Sequence, residues 1–314
     1  MDTLKTKTAY FLHSDPGFLR ISGEDRHSFL QRQTTNNIDL LSPNRSLVTV
    51  LTSPAGRILD VLWVVDEGET FGIITLPGQG QDTFNYLRSR IFFMDKVSLE
   101  DASQDISQVD LIGTGINDFL QGFSENKSSR EGELQNIKIS GVPVTVLCNK
   151  KFAHRMLIPT AGREQVTEEL ILKGVDQLSL ESYEILRIEA GIPAPRHELT
   201  DDYTPLETGF DWAVSDNKGC YTGQEVIARQ VNYDKITRKL VGLRLSDLAQ
   251  IGDTLYPPDT QQPVGKVTSL AVSPQFGPVA LAIVKRPFYE AGNELVVGDK
   301  SEGFLAKTVE LPFS

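Results

Sequence analysis

At 314 residues, with 39 % apolar and 23 % charged side chains, the chain has ordinary globular composition, which excludes an extended disordered protein and sets two or three packed domains as the expectation. Its formal net charge of −11 repels phosphate backbones and no long basic block offsets it, so direct nucleic-acid binding is not expected. The start, MDTLKTKTAYFLHSDPGF, has neither the apolar core of a secretory signal nor the Arg-rich look of a transit peptide. No run of about 18 apolar residues occurs, so a cytoplasmic chain without a membrane span is expected.

A first strand is predicted around Leu19 and Ile21, ending at Gly23. EDRHSFLQRQ follows with acids first and bases later, as the helix dipole favours, and with Phe29, Leu30 and Gln33 on one face. SLVTVLT (46–52) and ILDVLWVV (58–65) are strand-forming runs parted by Pro54, Ala55 and Gly56, a hairpin signal. A further strand is predicted over 71–76. Phe84, Leu87 and Ile91 then mark a helix. Next come a strand in VDLIGT, a short helix over 117–123, the polar loop SENKSSREGE, strands at 136–140, 144–149 and 156–159, and a helix over 163–173. That order suggests an antiparallel sheet with helices on one face. A helix over 179–191, with Gly191 as its C-cap, leads into a loop rich in Pro, Thr, Asp and Gly. From Leu240 onward short strands (LVGLRL, GKVTSL, VALAIV, NELVVG, FLAKTVEL) recur between Gly and Pro, predicting an all-β terminal domain. The expected division is 1–235, carrying an α+β lobe at 105–176, followed by 236–314.

The two cysteines, Cys148 and Cys220, are too few for a disulfide framework, and no C-x-x-C or H-x-x-x-H spacing offers a resident metal site. Cys148 in the apolar run VTVLC reads as core. Cys220 lies in Lys218-Gly219-Cys220-Tyr221-Thr222-Gly223-Gln224-Glu225. Thr222 and Glu225 have the spacing of a capping box, which predicts a helix beginning just after Thr222. Cys220 would then stand two residues before the cap, near the positive end of the dipole and close to Lys218. Both features favour thiolate, making Cys220 a candidate reactive or metal-touching sulfur; the alternative is a small buried filler. None of the four histidines pairs with it in sequence.

Lys218-Gly219-Cys220-Tyr221-Thr222-Gly223-Gln224-Glu225 resembles, unbroken, the signature of the YgfZ family, which also includes a mitochondrial iron–sulfur assembly factor. ISGEDRHSFLQRQTTNNI, SPAGRILDVLWV, RIEAGIP, ELTDDYTPLETGFDWAV and the terminal GKVTS and LPF agree with the same family, so the resemblance spans nearly the whole chain and is weakest at 102–175. The family shares a fold with the aminomethyltransferase of glycine cleavage. The resemblance therefore implies an α+β, GcvT-like folate-binding fold with a ferredoxin-like lobe, a C-terminal β-barrel and a central tetrahydrofolate site.

Glu207 in TPLETG and Glu189 in RIEAG match acids shared with the transferase, and either could hold the N–H edge of a pterin, which a carboxylate accepts in bidentate fashion. Their alternatives are a solvated loop acid for Glu207 and an ion pair with Arg187 for Glu189. Trp212 has stacking on the folate or core filling open to it, with core preferred; Arg57 either reaches the site or is solvated. Among Arg229, Lys235, Arg238 and Lys239, Arg229 is favoured to hold the folate glutamate tail. Where the transferase has paired Asp residues, this chain keeps Asp60 but carries Val61 in the other place, and the loop matching Cys220 gains its thiol.

The expected function is a tetrahydrofolate-binding accessory protein for iron–sulfur cluster assembly or repair, with Cys220 and Lys218 at the reacting site and tRNA modification supported indirectly through cluster-bearing enzymes. The alternative is an aminomethyltransferase or folate-dependent demethylase. Expected partners are folate and iron–sulfur or cluster-assembly proteins, and the expected state is a monomer.

Overall fold

The computed structural model describes residues 8–123, 130–149, 151–233, 235–298 and 303–314. Most of the predicted loop SENKSSREGE lies outside them. The first half contains β1 (Ala9–Leu12), β2 (Gly17–Ser22), α1 (Arg26–Gln33), β3 (Leu47–Thr52), β4 (Ile58–Asp66), β5 (Thr70–Thr75), α2 (Gly80–Ser89) and β6 (Ser98–Asp101). There follow β7 (Ile106–Ile112), α3 (Ile116–Gln121), β8 (Leu134–Ile139), β9 (Val142–Leu147), β10 (Ala153–Pro159), α4 (Arg163–Leu172) and β11 (Asp176–Gln177). The remainder is α5 (Leu180–Glu189), α6 (Gln224–Asn232), β12 (Arg238–Leu245), β13 (Thr254–Tyr256), β14 (Gly265–Ser273), β15 (Gly277–Lys285), β16 (Glu294–Val297) and β17 (Phe304–Val309). These elements divide into two compact units.

The first unit comprises residues 1–51, 60–180 and 217–222 and holds two sheets. One has the order β11-β1-β7-β10-β9-β8, the other β3-β4-β5-β2-β6. β1 was not foreseen. Its four residues pair antiparallel with β7, Tyr10 opposite Leu111, and parallel with β11. The hairpin from β8 to β9 turns at Ser140 and Gly141, both with positive φ. Strand alternation sends Tyr10, Val109, Val144, Met156 and Ile158 into one core together with Val166 and Leu170 of α4. A second core joins Phe18, Val65 and Ile74 to Leu147 and Leu157, packing one sheet against the other.

The second unit comprises residues 52–59, 181–216 and 223–314. Its last six strands close a barrel in the order β12-β15-β14-β13-β16-β17, filled by Leu243, Leu255, Val267, Ala282 and Leu295. A register shift between Val267 and Ser269 bends β14, as barrel walls require. Arg187 of α5, almost fully buried, donates to Glu184 (2.8 Å) and to the Ser269 hydroxyl (3.0 Å). Glu198, fully buried, accepts from Ser269 Oγ (2.7 Å) and the Ala194 N–H (3.0 Å). This network ties α5 and the loop after it to the barrel wall. The result is a mixed α/β N-terminal region followed by a closed six-stranded C-terminal barrel, as expected.

Candidate functional site

The motif at 218–225 begins in the first unit, where α1 ends. The QTTNN run at that end is fixed by buried polar bonds. Thr35 N–H donates to Val50 O (3.0 Å), Asn36 N–H to Thr49 Oγ1 (2.8 Å) and Asn36 Nδ2 to Val48 O (2.7 Å). This rigid turn presents two carbonyls to Lys218, whose ammonium donates to Thr34 O at 2.7 Å and Asn36 O at 2.6 Å. Thr34 caps α1, so the cation sits where the helix dipole is negative. Nζ also lies 5.2 Å from the centre of the Tyr221 ring. Burial lowers the Lys218 pKa to about 8, although Asp39 opposes the shift; burial likewise raises that of Tyr221 to about 12. The Thr222 N–H donates to Arg32 O (3.1 Å), a second clamp on the same loop. Between these clamps Cys220 is exposed, whereas Cys148 is buried.

The capping box expected at Thr222 and Glu225 does not form. The N-cap of α6 is Gly223, in the left-handed region at φ 85°, with no side-chain cap. A Cβ at Gly223 would meet Ser53 O at 2.7 Å and Gly56 Cα at 2.9 Å, so close backbone approach selects glycine here. Cys220 therefore precedes the helix by one residue more than expected. The dipole fades within a turn, so polarisation by α6 is a weaker cause of thiol reactivity than the spacing suggested.

Glu207 sits in a short 3-10 turn over Pro205–Glu207, in the second unit, and is 2 % exposed. Its Oε1 accepts from Arg238 Nε (2.8 Å). Its Oε2 accepts from the Thr204 N–H (2.9 Å), from Arg238 Nη2 (3.2 Å) and, at a longer 3.5 Å, from Arg57 Nη1. Both arginines also donate to the Asp202 carbonyl, at 3.0 and 3.2 Å, and Arg238 stacks on Tyr203 at 5.2 Å. Two half-exposed guanidiniums thus face one sealed carboxylate. One acceptor position stays open on Oε1 and none on Oε2, so the bidentate pterin edge expected at Glu207 is not available in this arrangement. Arg57 joins the cluster rather than being merely solvated. The cation that meets Glu207 most closely is Arg238 of β12; Arg229, favoured from sequence for the folate glutamate tail, is exposed on α6.

The other expected residues are held by partners of their own. Glu189 accepts from the Oγ of Ser273 (2.6 Å), the last residue of β14, and makes no pair with Arg187, whose guanidinium is taken by Glu184 and Ser269. Trp212 is not core. It is 44 % exposed, lies 5.8 Å from the Phe210 ring and donates to Gly209 O (3.1 Å). In the first unit, Asp60 is fully buried beneath α2. Thr83 Oγ1 donates to its Oδ2 (2.6 Å), and the N–H groups of Val61 (2.8 Å) and Leu76 (3.1 Å) donate to Oδ1. Burial raises its pKa to about 7 against the pull of those three bonds. Alternation along β4 turns Val61 to the opposite face, where it too is fully buried.

Sequence reasoning missed a third buried group, His13, Asp110 and Arg155, whose members come from β7, β10 and the segment after β1. The one available signal was an aspartate inside the apolar strand VDLI. Among the described residues no three of His, Cys, Asp and Glu gather to hold a metal ion, and no helix is long and apolar enough to cross a membrane. A cleft of 460 Å³ between His27, Asp39 and Phe71 contains none of the expected site residues.

Comparison with known proteins agrees along the full length. The GCVT N-terminal domain family matches residues 2–218, and the glycine cleavage T-protein C-terminal barrel domain matches residues 238–314. The chain is 31 % identical over 305 residues to "Putative transferase At1g60990, chloroplastic" of Arabidopsis thaliana, covering 95 % of this chain and 69 % of that one. It is 26 % identical over 333 residues to the mitochondrial aminomethyltransferase of Dictyostelium discoideum, covering 99 % and 83 %. The crystal structure of the glycine cleavage system aminomethyltransferase T from Bartonella henselae matches with a TM-score of 0.87 over 99 % of this chain and 87 % of that one; at 20 % identity this is a likeness of fold. With both halves matched and the motifs in one continuous chain, the protein belongs to the glycine cleavage T-protein (GcvT) family.

Proposed function

We propose that the chain binds a tetrahydrofolate and acts as an aminomethyltransferase-type one-carbon transferase or folate-dependent demethylase, on a donor other than that of glycine cleavage. Family membership and the relatives named aminomethyltransferase support the first part. The observation that carries the second is the Asp60–Val61 step on β4. Asp60 is sealed and its oxygens are committed to Thr83, Val61 and Leu76. Val61 can neither accept a proton nor orient an amine.

The donor set fits folate in part. Arg57 and Arg238 carry one positive charge beyond that of Glu207 and suit the carboxylates of a glutamate tail. Glu207, sealed beneath them, would orient both guanidiniums, and the half-exposed face of Trp212 suits stacking. Glu189 and Arg229 remain secondary candidates. When bound, the folate supplies the acceptor for a one-carbon unit. In this reading residues 1–235, with their lobe at 105–176, form the folate-binding region and 236–314 the barrel domain. The test is calorimetric titration with tetrahydrofolate together with a methylene-folate assay. Binding of tetrahydrofolate, and no methylene-folate formed from the aminomethyl donor of glycine cleavage, are expected. Failure to bind folate, or full activity on the aminomethyl donor, overturns the proposal.

A second reading is favoured by one observation, the exposed sulfur of Cys220 held between two clamps. It is a YgfZ-type accessory protein for iron–sulfur cluster assembly or repair, cytoplasmic and monomeric, with no resident metal. Its partners are cluster-bearing or cluster-assembly proteins, through which tRNA modification is supported indirectly. Here Cys220→Ser abolishes support of a cluster-dependent enzyme in cells while folate binding persists. Unchanged support removes this reading and leaves the transferase reading standing.

A further inference from the structure

Three large apolar side chains stand together in solvent just after α2. Phe92 is 65 %, Phe93 98 % and Met94 73 % exposed, a concentration that solitary surface apolar residues do not explain. The turn that carries them is built to hold them there. The Asp95 N–H donates to Phe92 O (3.0 Å), the Phe92 N–H returns to Asp95 Oδ2 (2.9 Å), and Arg32 Nη2 holds Asp95 Oδ1 (2.9 Å). The next residue is tied as well, Lys96 N–H to Asp25 Oδ2 at 2.9 Å. Side chains presented by a fixed turn lose little freedom on docking, which is what an interface anchor requires.

The charge around the turn is opposite to that of the chain. Asp95 is neutralised by Arg32 and Lys96 by Glu24. That leaves Arg88 and Arg90, which lie against the rings of Phe84 and Tyr86 at 6.0 and 4.9 Å, set against the single carboxylate of Asp25, a net positive balance in a protein of net charge −11. We propose that residues 88–95 form a docking hook for a separate protein whose apolar pocket is rimmed by carboxylates. A second copy of this chain is the poorer occupant. A two-fold contact would set Arg88 and Arg90 against themselves, and a head-to-tail contact onto the acidic remainder closes only at particular rotations and otherwise runs on as a filament. An anionic bilayer is disfavoured by the overall negative charge. Three side chains make a small interface, so the contact is transient. This inference goes beyond the folate-dependent reading and does not depend on it.

The test is selection of phage-displayed random peptides on the full chain, followed by affinity measurement for the selected peptides, free in solution. Expected are sequences with aromatic or aliphatic residues flanked by Asp and Glu, weakened about tenfold or more by Phe92→Ser/Phe93→Ser. They should weaken similarly with Arg88→Glu/Arg90→Glu and on raising salt from about 50 to 500 mM. The phenylalanine variant changes only exposed side chains, whereas Arg90 is partly buried, so an unaltered thermal transition is required of both before their affinities are compared. Selection of neutral or basic peptides, affinity indifferent to either variant, equal variant-sensitive binding to phosphatidylglycerol vesicles, or Phe-dependent self-association in sedimentation would each overturn the proposal.

Discussion

Arg155 grips Asp110 through two parallel hydrogen bonds, Nε to Oδ1 at 2.8 Å and Nη2 to Oδ2 at 3.0 Å. His13 Nε2 completes the group, 2.9 Å from Oδ2, and the guanidinium lies over the Trp63 ring at 5.3 Å. Since Trp63 belongs to one sheet of the first unit and Asp110 and Arg155 to the other, the group fastens the two sheets. Burial pushes the Asp110 pKa up, but the charges of Arg155 and His13 outweigh it and hold the carboxyl well below the usual range. Asp110→Asn leaves Arg155 buried without its counter-charge and is expected to cost roughly 3–5 kcal/mol, read as a lower urea midpoint. Because the folded pKa is depressed, this stabilisation is complete above the ordinary carboxylate pKa and is lost as pH falls below it.

Asp60 works in the opposite sense. Its folded pKa, about 7, lies above the unfolded value, so between roughly pH 4 and pH 7 the native state binds the extra proton. Stability therefore falls as pH rises through that window, by something on the order of 4 kcal/mol. Asn at this site keeps an oxygen for Val61 and Leu76 and offers an N–H to Thr83. The difference in melting temperature, Asp60→Asn minus wild type, should grow from pH 5 to pH 8; a constant difference would show that Asp60 does not titrate there.

The two thiols should separate kinetically. In the native chain Cys220 is expected to react with a disulfide reagent at once and Cys148 only after denaturation. Cys220→Ser should remove the fast phase and change stability by no more than about 0.5 kcal/mol, as at other exposed positions. Two fast thiols, or none, would contradict the placement of these residues.

Lys218→Met removes the ammonium from Thr34 O and Asn36 O. Amide exchange is expected to quicken together in the turn after α1 and in the loop around Cys220, with the barrel unchanged. Faster exchange confined to one of the two would mean that the ammonium does not couple them.

Arg238→Met should destabilise the Glu207 turn by about 1–3 kcal/mol, less than a fully buried pair because the arginine is partly solvated and Arg57 remains. The denaturant slope should not change. Adding Arg57→Met should cost more than the sum of the single changes, since only then does Glu207 lose every guanidinium.

Much of this architecture was legible in the sequence, and the failures have identifiable causes. The barrel strands and the hairpin at Pro54–Gly56 declared themselves because β-rich runs alternate with Gly and Pro. β1 escaped because four residues carry little pattern, and its stability comes from β7 about a hundred positions away. The T-x-x-E spacing occurs twice, at Thr204–Glu207 and Thr222–Glu225. Only at the first does the glutamate return to the threonine N–H, because at the second the tight approach of Ser53 and Gly56 imposes a left-handed glycine. A group of cations over 229–239 could be read as suited to a folate tail, but not that Arg238 among them turns to Glu207. That depends on where β12 enters the barrel and places Arg238.

The barrel also has a consequence for synthesis of the protein. Among the described residues β17 is the strand that bridges β12 and β16, and it is synthesised after both. Until then two bare strand margins await a partner, and a product terminated before Phe304 would keep them indefinitely. Such naked margins invite aggregation, so premature stop codons late in this reading frame should yield insoluble or rapidly degraded chains rather than shortened active ones.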